Sequence, residues 1–213
     1  MAFIDGTAVN VALPALQSSL KASLLDVQWV VEAYTLFLGA LLLTGGSIGD
    51  LLGTRNVFVA GVVLFSAASA WCGLAPNIQQ LIFARCVQGI GGAMLVPNSL
   101  ALLGVSFSRK DLGKAIGIWS GATSITSALG PLLGGLLTEH ASWRWVFVLN
   151  LPIGAAVIAI AFFRVPKSEP KPERPSIDWA GTLFATLGRW AVREFEPPPS
   201  STNLDRRECW PFA

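Results

Sequence analysis

Charge is what this chain has least of. Of its 213 residues, 13% are Asp, Glu, Lys or Arg, about half the ~25% of an ordinary soluble domain. So low a density points away from a water-exposed surface. The net charge of +2 gives no ground for a nucleic-acid partner, and none is expected. Cysteine is also sparse. Cys72, Cys86 and Cys209 have no paired spacing and no metal-ligand pattern, so neither a disulfide framework nor a metal site is expected. His140 is the single histidine and falls in an expected outer turn, where a solvated side chain is the simplest reading. No nucleophile–base pair and no Walker-type phosphate loop is present. Gly89-Ile90-Gly91-Gly92 lacks the preceding strand that a dinucleotide loop requires. An enzyme is therefore not expected, nor is a bound cofactor. A cleavable signal is not indicated either, because Met1 to Asp5 carries no basic residue and an early acid.

What the chain has instead is apolar length. Hydrophobic residues make up 53%, and a bilayer span needs about 20 of them in a row. Residues 1–16 form a first apolar block. At ~1.5 Å of rise per residue it would reach about 24 Å, short of a ~30 Å hydrocarbon core, which reads as a span clipped at its start. A polar connection over 17–28 follows. Further spans are expected at 29–48, 56–75, 78–103, 115–138 and 143–163. Together these make an all-α membrane protein with a six-span bundle over 1–163. A linker at 164–178, rich in Pro and charge, comes next. A seventh span starts at 177–188 and is abandoned. The tail at 189–213 carries a Pro-Pro-Pro run and no periodicity, and reads as disordered or as having left its frame.

Lys and Arg in short loops set orientation. Arg55, Arg109, Lys110, Lys114, Arg164, Lys167, Lys171 and Arg174 fall on one side, and only Lys21 and Arg144 on the other. That asymmetry places the Gly46–Arg55 segment in the cytoplasm of a multi-pass protein, with the plasma (inner) membrane as the expected location.

Three charges lie inside apolar blocks: Asp5, Glu32 and Arg85. Each costs roughly 2.5–3.5 kcal/mol on insertion scales, so each marks function or pairing. Glu32 is near a span end and faces water on this reading. Asp5 and Arg85 have opposite signs and lie on different spans. If those spans pack together, the two neutralise each other, and a proton competing with Arg85 for Asp5 is one physical form of proton coupling. A purely structural ion pair is the alternative. The fifth span is rich in small residues, with Gly121, Gly130, Gly134 and Gly135 and a proline at Pro131. Such spacing permits close helix approach, and Pro131 frees the carbonyl of Ser127, so a kinked helix buried against a partner is expected. The Gly-rich segment Gly46, Gly49, Asp50, Gly53 and Arg55 reads as a turn between two spans.

These residues resemble a known family. Asp5-Gly6-Thr7-Ala8-Val9-Asn10-Val11-Ala12-Leu13-Pro14 is similar to a first-span signature of the fourteen-helix drug:proton antiporter group of the major facilitator superfamily. Gly46 to Arg55 resembles that superfamily's cytoplasmic loop, departing at Leu51 and Thr54, where the pattern carries basic residues. Arg85-Cys86-Val87-Gln88-Gly89 resembles its fourth-span motif, and Gly130-Pro131-Leu132-Leu133-Gly134-Gly135 its antiporter motif. Trp143 to Phe147 with Asn150 to Gly154 also looks like this group. The resemblance implies efflux of small amphipathic compounds driven by a proton gradient, with no other cofactor. It implies that Arg85 helps couple protons and that Asp50 and Arg55 belong to a gating loop. The lipid bilayer, protons, a small amphipathic substrate and a missing C-terminal half are the implied partners. A facilitator or importer of the same fold, and a non-transporting fragment, are the other readings.

Overall fold

The computed structural model describes residues 1–164. The expected linker beyond Arg164, the seventh-span start and the tail lie outside the described residues. Seven helical segments follow in order: α1 (Ala2–Leu20), α2 (Leu24–Leu52), α3 (Thr54–Leu74), α4 (Ile78–Ser106), α5 (Leu112–His140), α6 (Arg144–Val148) and α7 (Asn150–Arg164). The last two continue one another, broken at Leu149, so the described residues form six long helical units, as many as the sequence predicts.

Local chemistry sets the ends. Ser23 and Asp26 form a reciprocal capping box at the start of α2, the Ser23 hydroxyl accepting from the Asp26 amide and the Asp26 carboxylate from the Ser23 amide. Asn77 caps α4 by accepting from the Gln80 amide at 2.9 Å. Pro152 has no amide hydrogen, so the Val148 carbonyl loses its donor four residues on, and the sixth span breaks there.

Several boundaries differ from the sequence reading, and α4 and α5 extend further than expected, to Ser106 and over Leu112–His140. Helix α1 continues to Leu20; its 19 residues give ~28 Å, close to the hydrocarbon thickness. Helix α2 starts at Leu24, ahead of Trp29. The expected loop from Gly46 to Arg55 is almost entirely helix. Only Gly53 leaves it, at φ 91°, a conformation glycine adopts without steric penalty.

The other glycines of that segment serve a different purpose. A Cβ on Gly49 would strike the Asn98 side chain, and one on Gly46 would touch Pro97. They let α2 lie close on α4, where Asn98 donates to the Gly45 carbonyl at 2.8 Å. The same device joins α3 to α4 at Gly91, whose Cβ would sit 2.7 Å from the Phe65 amide nitrogen. Lipid offers no hydrophobic drive between helices, so close contact of this kind supplies the association energy.

By length and composition, four helices among the described residues are apolar enough to cross a bilayer: α2, α3, α4 and the joined α6–α7. Helices α1 and α5 fall short of that measure because of their polar content. In α5 four hydroxyls are satisfied within the helix, those of Thr123, Ser124, Thr126 and Thr138, which lowers their desolvation cost. Helix α5 runs on through Pro131. It packs on α1 through Gly130 and Gly134, a Cβ on the latter lying 2.6 Å from the Ala8 carbonyl. Its opposite face is exposed: a Cβ added to Gly117 or Gly121 would meet nothing within 4 Å.

Candidate functional site

Asp5 from α1 and Arg85 from α4 meet in the middle of this bundle. They are 80 residues apart, and each is only 1% exposed. Arg85 Nη1 lies 2.5 Å from Asp5 Oδ2. A lone charge at that depth is expensive, and opposite charges offset one another only when their remaining donors and acceptors are also met. Here they are. Arg85 Nε donates to the Val30 carbonyl at 3.1 Å, and Nη1 also donates to Gln88 Oε1 at 2.8 Å. The guanidinium lies 4.2 Å from the centre of the Tyr34 ring and 5.8 Å from that of Phe147. Aromatic faces favour a cation in this position.

The second carboxylate oxygen is equally crowded. Asp5 Oδ1 accepts from Gln88 Nε2 at 3.0 Å and from Asn150 Nδ2 at 2.8 Å. Ser69 Oγ on α3 accepts from both amides, at 3.3 and 3.0 Å, and donates to the Phe147 carbonyl at 2.9 Å. Cys72 Sγ donates to Gln88 Oε1 at 3.7 Å, and the Tyr34 hydroxyl donates to the Ala2 carbonyl at 3.4 Å. One carboxylate therefore gathers side chains from α1, α3, α4 and α7, with aromatic cover from α2 and α6. No group of three or more His, Cys, Asp or Glu side chains placed to hold a metal ion is found among the described residues.

The two charges singled out in the sequence are thus brought together. Glu32 stands apart, half-buried near the start of α2, within 3.5 Å of the Gln28 amide. Ser69 and Tyr34 were not singled out in the sequence; Gln88 and Asn150 stand there only within the motifs and were given no part in the site. A usable signal existed for Asn150: a polar residue two positions before a proline, deep in an apolar block.

A second polar contact lies at the bundle end that contains Gly53. Arg55 is buried, and its guanidinium donates to the carbonyls of Ala161 and Phe162 at 3.1 Å each. It lies 5.5 Å from the centre of the Phe162 ring. These carbonyls belong to the last described turn of α7. Arg55 therefore clamps the end of the sixth span. Asp50 is half-buried at the end of α2.

Comparison with known proteins agrees with this architecture. The family model described as Major Facilitator Superfamily matches residues 1–203. The tetracenomycin C resistance and export protein of Streptomyces glaucescens is 39% identical over 184 residues, covering 86% of this chain and 34% of that protein. The methylenomycin A resistance protein of Bacillus subtilis is 39% identical over 178 residues, 83% of this chain and 38% of its own length. The puromycin resistance protein pur8 of Streptomyces alboniger is 39% identical over 191 residues, with shares of 89% and 38%. This chain spans about a third of the length of these relatives. The crystal structure of a peptide transporter POT bound to alafosfalin superposes with a TM-score of 0.70 at 15% identity, covering 90% of this chain and 43% of that one. That likeness concerns the fold alone. This chain is an integral, multi-pass membrane protein and belongs to the major facilitator superfamily.

Proposed function

We propose that this chain is the N-terminal half-bundle of a proton-coupled exporter of small amphipathic compounds. The observation that carries the reading is the buried ion pair of Asp5 and Arg85. A carboxylate paired with an arginine at the centre of a bundle has two stable descriptions. Ionised, it holds the guanidinium. Protonated, it releases that charge to other acceptors, here the Val30 carbonyl and Gln88 Oε1. A transporter needs a group whose charge state alters the packing of several helices at once, and Asp5 on α1 bonds side chains of α4 and α7 and, through these, Ser69 on α3. The proton gradient supplies the energy, with no further cofactor. Relatives named for resistance to, or export of, tetracenomycin C, methylenomycin A and puromycin support an outward direction and an amphipathic cargo. The open face of α5, with Gly117 and Gly121, is the surface that a C-terminal half would cover. The plasma (inner) membrane is the proposed location.

The test uses a full-length form, with this chain joined to a C-terminal half, in everted vesicles energised by a proton gradient. Ethidium serves as the amphipathic probe. Proton-driven ethidium uptake is expected in the parent and is expected to vanish with Arg85→Ala, while membrane insertion is retained. Undiminished uptake would overturn the coupling role. Uptake that proceeds equally without a gradient would mark a facilitator instead.

A further inference from the structure

We infer that Asn150 is a positioning residue for the Asp5 proton site, its carboxamide offering a donor to the ionised carboxyl and an acceptor to the protonated one. This rests on the coupling reading above and extends it to a residue on the sixth span.

The geometry is specific. Asn150 is 1% exposed and follows the break at Leu149. Its Nδ2 donates both to Asp5 Oδ1 at 2.8 Å and to Ser69 Oγ at 3.0 Å. Its Oδ1 is buried and has no partner among the described residues. A buried amide oxygen left without a donor is costly and calls for an explanation. An amide carries both an acceptor and two donors, so a half-turn about its last bond exchanges them. In the ionised state Asp5 Oδ1 is an acceptor and takes the Asn150 N–H. When a proton arriving from the aqueous side binds Oδ1, that oxygen becomes a donor. A turned Asn150 then accepts this O–H through its own Oδ1. The proton leaves by the reverse path, with no bond but O–H made or broken. The turned orientation frees the N–H groups and brings Asn150 Oδ1 to Ser69 Oγ, so the Ser69 hydroxyl must leave the Phe147 carbonyl and donate to Asn150 Oδ1 instead. The orphan oxygen is thus what allows the residue to serve two states.

Gln88 cannot take this part. Its Oε1 already accepts from Arg85 at 2.8 Å while its Nε2 donates to Asp5, so turning it would set its N–H against the guanidinium. Ser69 links the switch to the backbone, because its hydroxyl donates to the Phe147 carbonyl on α6, just before the break. The titratable and charged groups around Asp5 are Arg85 from α4, Tyr34 from α2, Cys72 from α3 and the amino group of Met1. None lies on α7, so the contribution of α7 to the site is the neutral amide alone.

The experiment follows labelling of Asp5 by dicyclohexylcarbodiimide, which reacts with protonated buried carboxyls. The 213-residue chain is placed in lipid nanodiscs, labelled over a series of pH values, and read by mass spectrometry of the Asp5 peptide. Asp5→Asn provides the unlabelled control. Asn150→Leu keeps the branched shape and removes a hydrogen bond from both states; the charge-assisted bond to the ion is the stronger of the two, so labelling is expected to persist about one pH unit higher. Asn150→Gln keeps a donor and is expected to return toward the parent profile. Should Asn150→Leu fail to insert, Asn150→Ala carries the same comparison. Identical profiles for parent and donor-free variant would overturn the assignment of Asn150 while leaving Asp5 as the proton site. Absence of Asp5 labelling at every pH would overturn the coupling reading and this inference with it.

Discussion

Arg85 has more to satisfy than its charge. It meets a carboxylate, a backbone carbonyl, an amide oxygen and an aromatic face. A lysine is a point charge with no planar fork and cannot make that set from one position. Removing one member of a buried pair leaves the other uncompensated, which costs about 3–5 kcal/mol. Arg85→Ala and Asp5→Asn should therefore each destabilise the bundle to unfolding in detergent. The double change Asp5→Asn with Arg85→Gln should cost much less than the sum, because it strands no charge. Simple additivity of the two losses would show that the pair is not the stabilising unit. Both charges were legible in the sequence, since a charge in an apolar block has few explanations. Ser69 was not, and Gln88 and Asn150 stood in motifs without their part in the site being legible. A neutral polar side chain in a helix can satisfy itself on its own backbone, as Ser124 does on Ser120, and the sequence does not reveal which direction it takes.

At the scale of helices, glycine was the ambiguous residue. A Gly-rich run suits a turn and suits close packing equally well, and Gly46 to Gly53 uses both. Gly53 alone turns the chain, while Gly46 and Gly49 bring α2 onto α4. The fifth-span glycines divide in a similar way. Gly134→Leu drives a side chain into the Ala8 carbonyl and should separate α5 from α1, lowering the midpoint of thermal unfolding in micelles by several degrees. Gly121→Leu meets open space in this chain and should leave that midpoint within a degree or two. Equal effects at both positions would contradict the packing described. The Arg55 clamp was hidden for another reason. Its partners are backbone carbonyls more than 100 residues away, and a carbonyl leaves no mark in a sequence. Two charge-assisted hydrogen bonds are each worth about 1.5–3 kcal/mol. Arg55→Gln should therefore speed amide exchange in the last turn of α7 by roughly tenfold or more, with the middle of α4 unchanged. Unaltered exchange there would remove the clamp from consideration.

For the whole molecule, the cross-ties fix which turns share an end. Arg55, just after Gly53, holds the end of α7, so the α2–α3 junction and the end of the sixth span lie together. At the other end, Arg144 donates to the Ala75 carbonyl at 3.2 Å, joining the α3–α4 and α5–α6 turns. The alternation read from the sequence is thus matched by contacts at both ends of the described bundle. Helix-scale periodicity and loop charge carry that much of the fold, because both follow from the bilayer as solvent. Sidedness is then testable with a membrane-impermeant maleimide. Thr54 is a poor probe, being buried at the start of α3, whereas Lys110 and His140 are exposed at opposite ends. In a background with Cys72, Cys86 and Cys209 replaced, Lys110→Cys should react in inside-out vesicles and stay unreactive in right-side-out ones. His140→Cys should do the reverse. Reaction of both from the same side would break the six-crossing topology. Full inversion of the pattern would keep the bundle but place the Arg55 clamp, and the basic loop around Lys110, outside the cell, against the direction that their charge favours by about 1 kcal/mol per Lys or Arg at an anionic cytoplasmic surface.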